Sequence, residues 1–386
     1  MERMQATDSP GAAVTAPVST LEITCMKKTL IALAVLASAG VASAQSSVTL
    51  FGVVDLSLVH SKGTISKKTQ LTNNGIGANQ IGFRGVEDLG GGMYAGFWLE
   101  AWHNPDNGTG LATNLNNQAS GSAAASAGTQ GLTFNRRSTL SVGGAWGELR
   151  LGRDYTPSYW NVANFDPWGN LGVAKSVTVE NAITGPTGVR ASNSISYLYG
   201  GQAFNATSRG GNNGFAAAVM YYMGENNSGP ATAKDGNGYS GRIGYQAGPW
   251  NVAIATGKTK YAAGNITQTN LGGSYDFGVA RLTGQYVRDK NAAITAKGYL
   301  VGLSAPVGAV GQVRASVSQY KTDAAGSPKV RKIGLGYVHN LSKRTAVFAT
   351  AAQLRNSGGS AASLYGSTSA PNGKSTAYEM GVRHNF

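Results

Sequence analysis

The chain is poor in the residues that usually carry catalysis or metal binding. It has one cysteine in 386 residues, so no intramolecular disulfide is possible, and it contains no G-x-S-x-G nucleophile motif. The only histidines are His60, His103, His339 and His384. Their spacing matches no metal-ligand pattern. The sequence therefore predicts no metal site, no cofactor and no enzymatic activity.

Long hydrophobic runs are also missing. No segment after residue 44 offers eighteen consecutive apolar residues, which excludes a membrane-spanning helix there and means that any membrane role requires strands. The apolar run 29–39 is shorter, follows the charged start Met26-Lys27-Lys28 and precedes the small residues Ala42-Ser43-Ala44, as in a secretory signal. Cys25 lies before this run, where it cannot serve as a lipid anchor.

The signal segment divides the chain into three expected parts. These are residues 1–25, an extension from a misplaced start; residues 26–44, the cleaved signal peptide; and residues 45–386, the mature chain. An unusually long n-region is the alternative interpretation of residues 1–25. The mature chain would contain no cysteine.

Acidic residues are scarce, with 18 Asp and Glu against 32 Lys and Arg, giving a net charge of +14. Residues 1–44 carry three charges of each sign, so the mature chain keeps this surplus. A basic chain can indicate nucleic-acid binding, but the basic residues are dispersed, with no cluster beyond Lys67-Lys68 and Arg136-Arg137. Together with export, this argues against a nucleic-acid partner. The 55 glycines show no collagen repeat.

What the mature chain does have is alternation of apolar and polar residues with a period of two, which indicates strands. Sixteen such segments can be drawn, at 47–60, 79–88, 92–103, 133–144, 147–154, 192–200, 213–224, 237–247, 249–259, 266–276, 278–289, 296–306, 308–322, 328–341, 343–355 and 375–386. Very short connections alternate with long polar ones, as in an up-and-down barrel. Segment 201–212 breaks this rule, being long where a short turn is due.

The strands have one apolar and one polar face. Leu50 and Leu58 share a side of the first strand, opposite Asp55 and Ser57, and the last strand alternates in the same way up to its final residue. A soluble sandwich also shows such alternation, but closure of the first strand onto the last would satisfy every backbone group within a bilayer. Tyr378 and Phe386 on this last strand are the expected assembly signal. Four aromatic residues near strand ends suggest membrane girdles: Trp98, Trp250, Tyr286 and Phe348.

Several motifs together resemble the general diffusion porins of Gram-negative outer membranes, of the betaproteobacterial type. They are the stretches 47–55 (SVTLFGVVD), 81–92 (IGFRGVEDLGGG), 149–157 (LRLGRDYTP) and 381–386 (GVRHNF). The resemblance implies an all-β fold: a 16-stranded antiparallel transmembrane β-barrel with short periplasmic turns and long extracellular loops. It also implies a homotrimer, with the third long loop folded into a water-filled lumen.

The third long connection, 155–191, is the expected constriction. About 37 residues without regular structure usually signal function or disorder, and Trp160, Phe165 and Trp168 give this segment too much apolar surface for a solvated tail. Folded inside, it would carry the acids Asp166 and Glu180 into the lumen.

By resemblance, the facing wall carries a ladder of arginines, for which Arg153 and Arg190 match two positions. The third position holds Gln80, and the possible substitutes are Arg84, Arg136 and Arg137.

The predicted function is an outer-membrane channel for passive diffusion of small hydrophilic solutes and ions, with a preference for anions because of the basic surplus. The alternatives are a solute-specific porin, an outer-membrane barrel enzyme, and a secreted β-sandwich adhesin. A further alternative places the surplus charge in exposed loops or against anionic lipopolysaccharide. The expected partners are outer-membrane lipid, lipopolysaccharide and the diffusing solutes and anions.

Overall fold

The computed structural model describes residues 47–121, 131–200 and 214–386. The predicted extension, signal segment and long turn 201–212 lie outside these ranges. The strands are β1 (Ser47–Lys62), β2 (Lys67–Asn73), β3 (Gln80–Gly90), β4 (Met93–Ala101), β5 (His103–Asn104), β6 (Thr109–Gly110), β7 (Arg137–Gly144), β8 (Gly147–Tyr155), β9 (Arg190–Tyr199), β10 (Gly214–Tyr222), β11 (Gly238–Ala247), β12 (Trp250–Thr259), β13 (Ile266–Asp276), β14 (Arg281–Asn291), β15 (Ile294–Val307), β16 (Gly311–Thr322), β17 (Lys329–Asn340), β18 (Thr345–Ser357) and β19 (Lys374–Asn385).

Sixteen of these strands form a closed antiparallel barrel, each pairing with its neighbours in sequence. The ring closes at β1, whose first half pairs with β3 and whose second half pairs with β19, from Val53 opposite Asn385 to Lys62 opposite Thr376. Closure leaves no edge strand in the wall, so the backbone groups can be satisfied in a bilayer. All sixteen predicted segments overlap a barrel strand, which confirms the predicted fold class.

Three short strands interrupt connections that the sequence predicts to be loops. β2 pairs with the second half of β1, and β5 pairs with β6. β2 escaped prediction because its residues, KKTQLTN, are mostly polar. It forms because β1 is 16 residues long, extends to Lys62 and offers an edge there.

Helical structure is sparse among the described residues. It comprises α1 (Pro157–Asn164), α2 (Val177–Glu180) and a 3₁₀ turn at Ala119–Gly121. No helix in the described ranges has the length and apolar character needed to cross a membrane. α1 begins with proline at its first position, where a missing N–H costs nothing.

The two faces of the wall separate as the alternation predicts. Leu50 and Leu58 are 53% and 46% exposed, whereas Asp55 and Ser57 are buried. In a closed barrel the exposed apolar face is the outer one, and the buried polar face is the inner one.

Of the four aromatic residues predicted for the membrane girdles, two lie on the outer face. Trp250 and Tyr286 lie exposed on the outer face. Trp98 and Phe348 are buried instead, because they alternate with outward-facing residues and therefore point inward. Proximity to a strand end does not decide which face a side chain takes, whereas parity along the strand does.

The closing seam gives the first prediction. The backbone N–H groups of Gly52 and Phe386 donate to each other's carbonyls at 3.0 Å. A Cβ at Gly52 would lie 2.3 Å from the Phe386 ring and 2.7 Å from the Gln80 carbonyl oxygen. We expect Gly52→Val to destabilise the barrel by about 1–3 kcal/mol through overpacking. The measurement is the folded fraction in an unheated gel after refolding in detergent.

The control is Gly241→Val, since the nearest atoms there lie 3.8 Å and 3.9 Å from the added Cβ. It should fold like the parent chain. Equal folding of both variants would contradict a tightly packed seam.

Candidate functional site

Residues 156–189, the connection between β8 and β9, pack against the inner face of the wall. In α1, the Ser158 N–H donates to Ser240 Oγ at 3.0 Å, and the Asn161 amide donates to Asn270 Oδ1 at 2.7 Å. Both partners are buried residues of the polar face, on β11 and β13. The first part of the segment is therefore fixed to one side of the barrel.

The rest of the segment reaches other parts of the ring. Trp168 Nε1 donates to Ser316 Oγ on β16 at 2.7 Å. The N–H of Val173 donates to the Glu379 carboxylate on β19 at 2.9 Å, and the N–H of Gly172 donates to the Asn74 carbonyl at 2.9 Å. A single segment that leaves β8 and contacts β11, β16 and β19 through their polar faces crosses the interior.

Glycines of the inner wall make room for the apolar side chains of this segment. A Cβ at Gly272 would lie 2.0 Å from the Phe165 ring, and one at Gly302 would lie 2.6 Å from Pro167. A Cβ at Gly334 would lie 2.5 Å from that of Ala174. Sequence reasoning missed these positions, although glycines on the inner parity of β13, β15 and β17 were a visible signal.

The Asp166 carboxylate stabilises the fold of the segment through hydrogen bonds and does not face open space. Its carboxylate accepts hydrogen bonds from the backbone N–H groups of Trp168, Asn170 and Ser176, at 3.0, 3.2 and 3.1 Å, and its side chain is buried. The prediction that Asp166 presents its charge to the lumen is therefore wrong. Backbone N–H groups, which a sequence does not locate, take up its oxygens.

Glu180 ties the segment to the wall. It forms an ion pair with Lys332 Nζ, and Lys175 Nζ lies 3.7 Å from its other oxygen. Lys332 is buried on β17 and also donates to the Lys175 carbonyl at 3.1 Å. Glu180 thus lies at the inner wall, where two cations neutralise it, and its predicted role in the constriction stays a prediction.

Two of the predicted substitutes, Arg136 and Arg137, are buried in ion pairs. Arg136 pairs with Glu100, while Arg137 Nε lies 3.5 Å from the Asp154 carboxylate and its guanidinium covers the Trp98 ring at 4.5 Å. Nearby, Arg150 pairs with Glu148 at 2.8 Å and with Asp154 at 2.7 Å. The three arginines therefore face three carboxylates, which are Glu100, Glu148 and Asp154. Sequence reasoning missed these acids, although alternation places Glu148 beside Arg150.

Arg190 differs from this neutral cluster. Its guanidinium lies 4.0 Å from the centre of the Tyr155 ring, and its Nε donates to the Arg136 carbonyl at 2.8 Å. Tyr155 in turn stacks on Tyr159 of α1 at 5.1 Å. Burial raises the pKa of the Tyr159 phenol, and the neighbouring Tyr155 raises it further, so Tyr159 adds no negative charge. Among the described residues, Arg190 forms no salt bridge, and it remains partly exposed.

Arg84 also lies on the inner face, nearer the short-turn rim. It sits opposite Trp98 and Thr49 in the sheet, with its guanidinium 5.1 Å from the Trp98 ring and 5.3 Å from the Phe51 ring. These cation–π contacts stabilise the charged guanidinium without the help of a carboxylate. Gln80, the first residue of β3, stands opposite Val53 in the sheet.

Arg153 lies on the opposite face from the one predicted. It sits directly across from Ser138, which alternates with the exposed Leu140, so it belongs to the outer face. Its guanidinium donates to the Asn135 carbonyl at 2.7 Å and to Ser192 Oγ at 2.8 Å. The bulge at Gly152, where φ is +115° and a Cβ would lie 2.1 Å from the Ser138 carbonyl oxygen, sets this geometry. Parity with Leu149 and Leu151 was the overlooked signal.

The predicted assembly residues lie on the outer face. Tyr378 is 61% exposed, and Phe386 reaches the seam at Gly52. Their place on the closing strand fits the expected role, which stays a prediction.

Comparison with known proteins agrees with the barrel. The family model for the Gram-negative porin matches residues 29–359. The chain is 36% identical to outer membrane porin protein 32 of Delftia acidovorans, over 94% of this chain and 100% of that protein. An outer membrane porin protein of Bordetella pertussis is 28% identical over the same share of each chain.

Solved structures give the same result. An anion-selective porin from Comamonas acidovorans matches with a TM-score of 0.75 at 32% identity, over 88% of this chain and 100% of that one. OmpF of Salmonella typhi has a TM-score of 0.60 at 15% identity, which is a likeness of fold alone. With a closed sixteen-stranded barrel, an inner segment and these relatives, the chain belongs to the Gram-negative porin family of outer-membrane diffusion channels.

Proposed function

We propose that this porin prefers anions and that residues 156–189 form its constriction, with Arg190 and Arg84 among the accessible cations of the lumen. The supporting observation is a difference in burial. Arg84 and Arg190 are partly exposed, and neither forms a salt bridge within the described ranges. Seven acids of the inner wall and segment each expose 6% or less: Asp55, Glu100, Glu148, Asp154, Asp166, Asp289 and Glu379. Glu180, whose side chain is 18% exposed, is paired with Lys175 and Lys332.

This difference matters because ions respond to the charges they can approach. A partly exposed guanidinium raises the local concentration of anions, whereas a carboxylate that is buried and hydrogen-bonded contributes little to the field in the water-filled space. The +14 surplus of the chain has the same sign. A relative described as an anion-selective porin, 32% identical, supports the same preference.

Current through planar bilayers tests this proposal. We expect stepwise, ohmic conductance and, under a potassium chloride gradient, a reversal potential with the sign of chloride preference. A reversal potential of the opposite sign would contradict anion preference while leaving the channel itself established. Failure to conduct at all would instead contradict an open lumen.

Two partners belong to the proposal. A homotrimer is supported by the likeness of fold to OmpT of Vibrio cholerae, which is described in a trimer form. Gel mobility before and after heating tests it, since a trimer should migrate at about three times the mass of the heated chain. Lipopolysaccharide is the second partner, supported by the basic surplus and by the outer-membrane family.

A further inference from the structure

Basic side chains face each other directly across several strands of the outer wall. Arg288 on β14 lies opposite Lys297 on β15, and Lys297 lies opposite Lys321 on β16. Lys321 in turn lies opposite Lys329 on β17. Directly opposed residues share a face of the sheet, so the four cations form one continuous row.

The row continues on the remaining strands. Arg331, two residues beyond Lys329 on the same face of β17, lies opposite Arg355 on β18. Arg355 lies opposite Lys374 on β19. We call the whole row the outer basic ladder: Arg288, Lys297, Lys321, Lys329, Arg331, Arg355 and Lys374.

The protein itself supplies no visible counter-charge to this ladder. Six of its members are exposed and Lys329 is partly exposed. In the part of the chain that the structure describes, none of the seven forms a salt bridge, and the one side-chain hydrogen bond runs from Arg355 Nε to Gln353 Oε1 at 3.0 Å. Like charges directly opposite each other in a sheet are destabilising. An anion at this surface would offset the mutual repulsion of these cations and would be bound by them.

The ladder lies at a defined height on the barrel. On the same face, the next residues toward the short-turn rim are apolar or aromatic, including Tyr286, Tyr299 and Ile333, which are 46%, 39% and 52% exposed. Val301 and Leu335 follow them. Aromatic residues mark the edge of the hydrocarbon layer in membrane barrels, and charges beyond them meet lipid headgroups. The ladder is on the side of the long loops, which is the extracellular side.

We propose that the outer basic ladder binds the phosphate groups of phosphorylated glycolipids in the outer leaflet. The inference deepens the proposed lipopolysaccharide contact by naming its site, and it rests on that contact. Guanidinium and ammonium groups are the usual protein partners of phosphate. A row of opposed cations offers several phosphate positions at the spacing of neighbouring strands, which is about 4.8 Å.

The first test measures lipid retention by the purified porin in detergent. The variant Lys297→Gln/Lys321→Gln removes the central opposed pair, and the control Lys343→Gln/Arg344→Gln removes the same charge from the exposed turn at the other rim. Native mass spectrometry with bisphosphorylated lipid A should show at least tenfold less bound lipid for the ladder variant and no change for the control. Equal retention by ladder variant and parent, or equal loss in both variants, would overturn the proposal.

A second arm separates lipid from free anion. Inorganic phosphate, added at the concentration of lipid phosphate, should displace none of the bound lipid A, and dephosphorylated lipid A should be retained poorly. Complete displacement by inorganic phosphate would mean a simple anion site and would overturn the glycolipid assignment.

A third measurement uses the sign of a stability change. In detergent at low salt the ladder variant should melt above the parent chain, because like-charge repulsion is removed. In vesicles that contain lipid A it should melt below the parent. A variant that melts lower in both media would overturn the proposal. Channel conductance in the same vesicles stays at the parent level if the ladder acts only on lipid, so a failure here is distinguishable from a failure of the channel.

Discussion

Arg190→Gln is expected to lower the ratio of chloride to potassium permeability roughly fivefold. Two unit charges 4 Å apart in water interact by about 1 kcal/mol, which corresponds to a change of that size in ion preference. Glutamine keeps a hydrogen-bond donor near the Tyr155 hydroxyl, to which Arg190 donates, so the local fold should survive. The measurement is the reversal potential of the purified porin under a tenfold potassium chloride gradient.

The matched control is Arg288→Gln. It makes the same substitution and removes the same charge, but its side chain lies on the outer face beside Tyr286. It should leave the reversal potential unchanged. The effect of Arg190→Gln should also fade near 1 M salt, where the Debye length is about 3 Å, because mobile ions then screen the fixed charge. A salt-independent shift, or an equal shift in the control, would remove Arg190 from the ion path.

Asp166→Ala is expected to widen the channel without unfolding the barrel. The substitution removes the acceptor of three backbone N–H groups in residues 168–176, and hydrogen bonds to a charged group contribute about 1.5–3 kcal/mol each. Their loss, about 5–9 kcal/mol in sum, should release the inner segment, while the sixteen paired strands stay intact. Single-channel conductance should rise, and the exclusion limit for neutral oligosaccharides in liposome swelling should increase.

Two further variants sharpen this experiment. Asp88→Ala removes an exposed carboxylate that accepts from the Gly90 N–H at 2.8 Å in a short turn, and it should leave conductance unchanged. Asp166→Asn keeps one acceptor oxygen and should give an intermediate conductance. If Asp166→Asn changed ion selectivity while conductance stayed constant, Asp166 would face the ion path after all, as the sequence alone suggested.

The sequence was sufficient for the strands of the barrel because their signal is local. Each strand alternates between a lipid side and an inner side, so period two marks it without reference to its partners. β2 lacked this signal, since its polar residues only complete an edge that β1 offers. Trp98 shows the limit of composition, because its ring suits a girdle but its parity places it under Arg84 and Arg137.

The site was harder to predict because charges find partners that are distant in sequence. The sequence identifies Asp166 as an acid of the long connection, but it does not locate the three N–H groups of the same segment that surround the carboxylate. The sequence likewise identifies Arg136 as a candidate wall cation, but it does not place Glu100, 36 residues earlier, beside it. Such pairs depend on register across strands and on how a long segment folds, neither of which alternation specifies.

Substitutions at the inner-wall glycines would change the size of the opening without changing the charges that line it. Because the ring of Phe165, Pro167 and the methyl of Ala174 rest where the side chains of Gly272, Gly302 and Gly334 would otherwise be, each added methyl would displace the segment toward the axis. Alanine at these positions would thus make graded sieves, from slightly to strongly narrowed, with every arginine and carboxylate retained. Substitutions at these glycines could therefore adjust the permeability of the pore to nutrients or drugs in small steps, while the ion preference stayed constant.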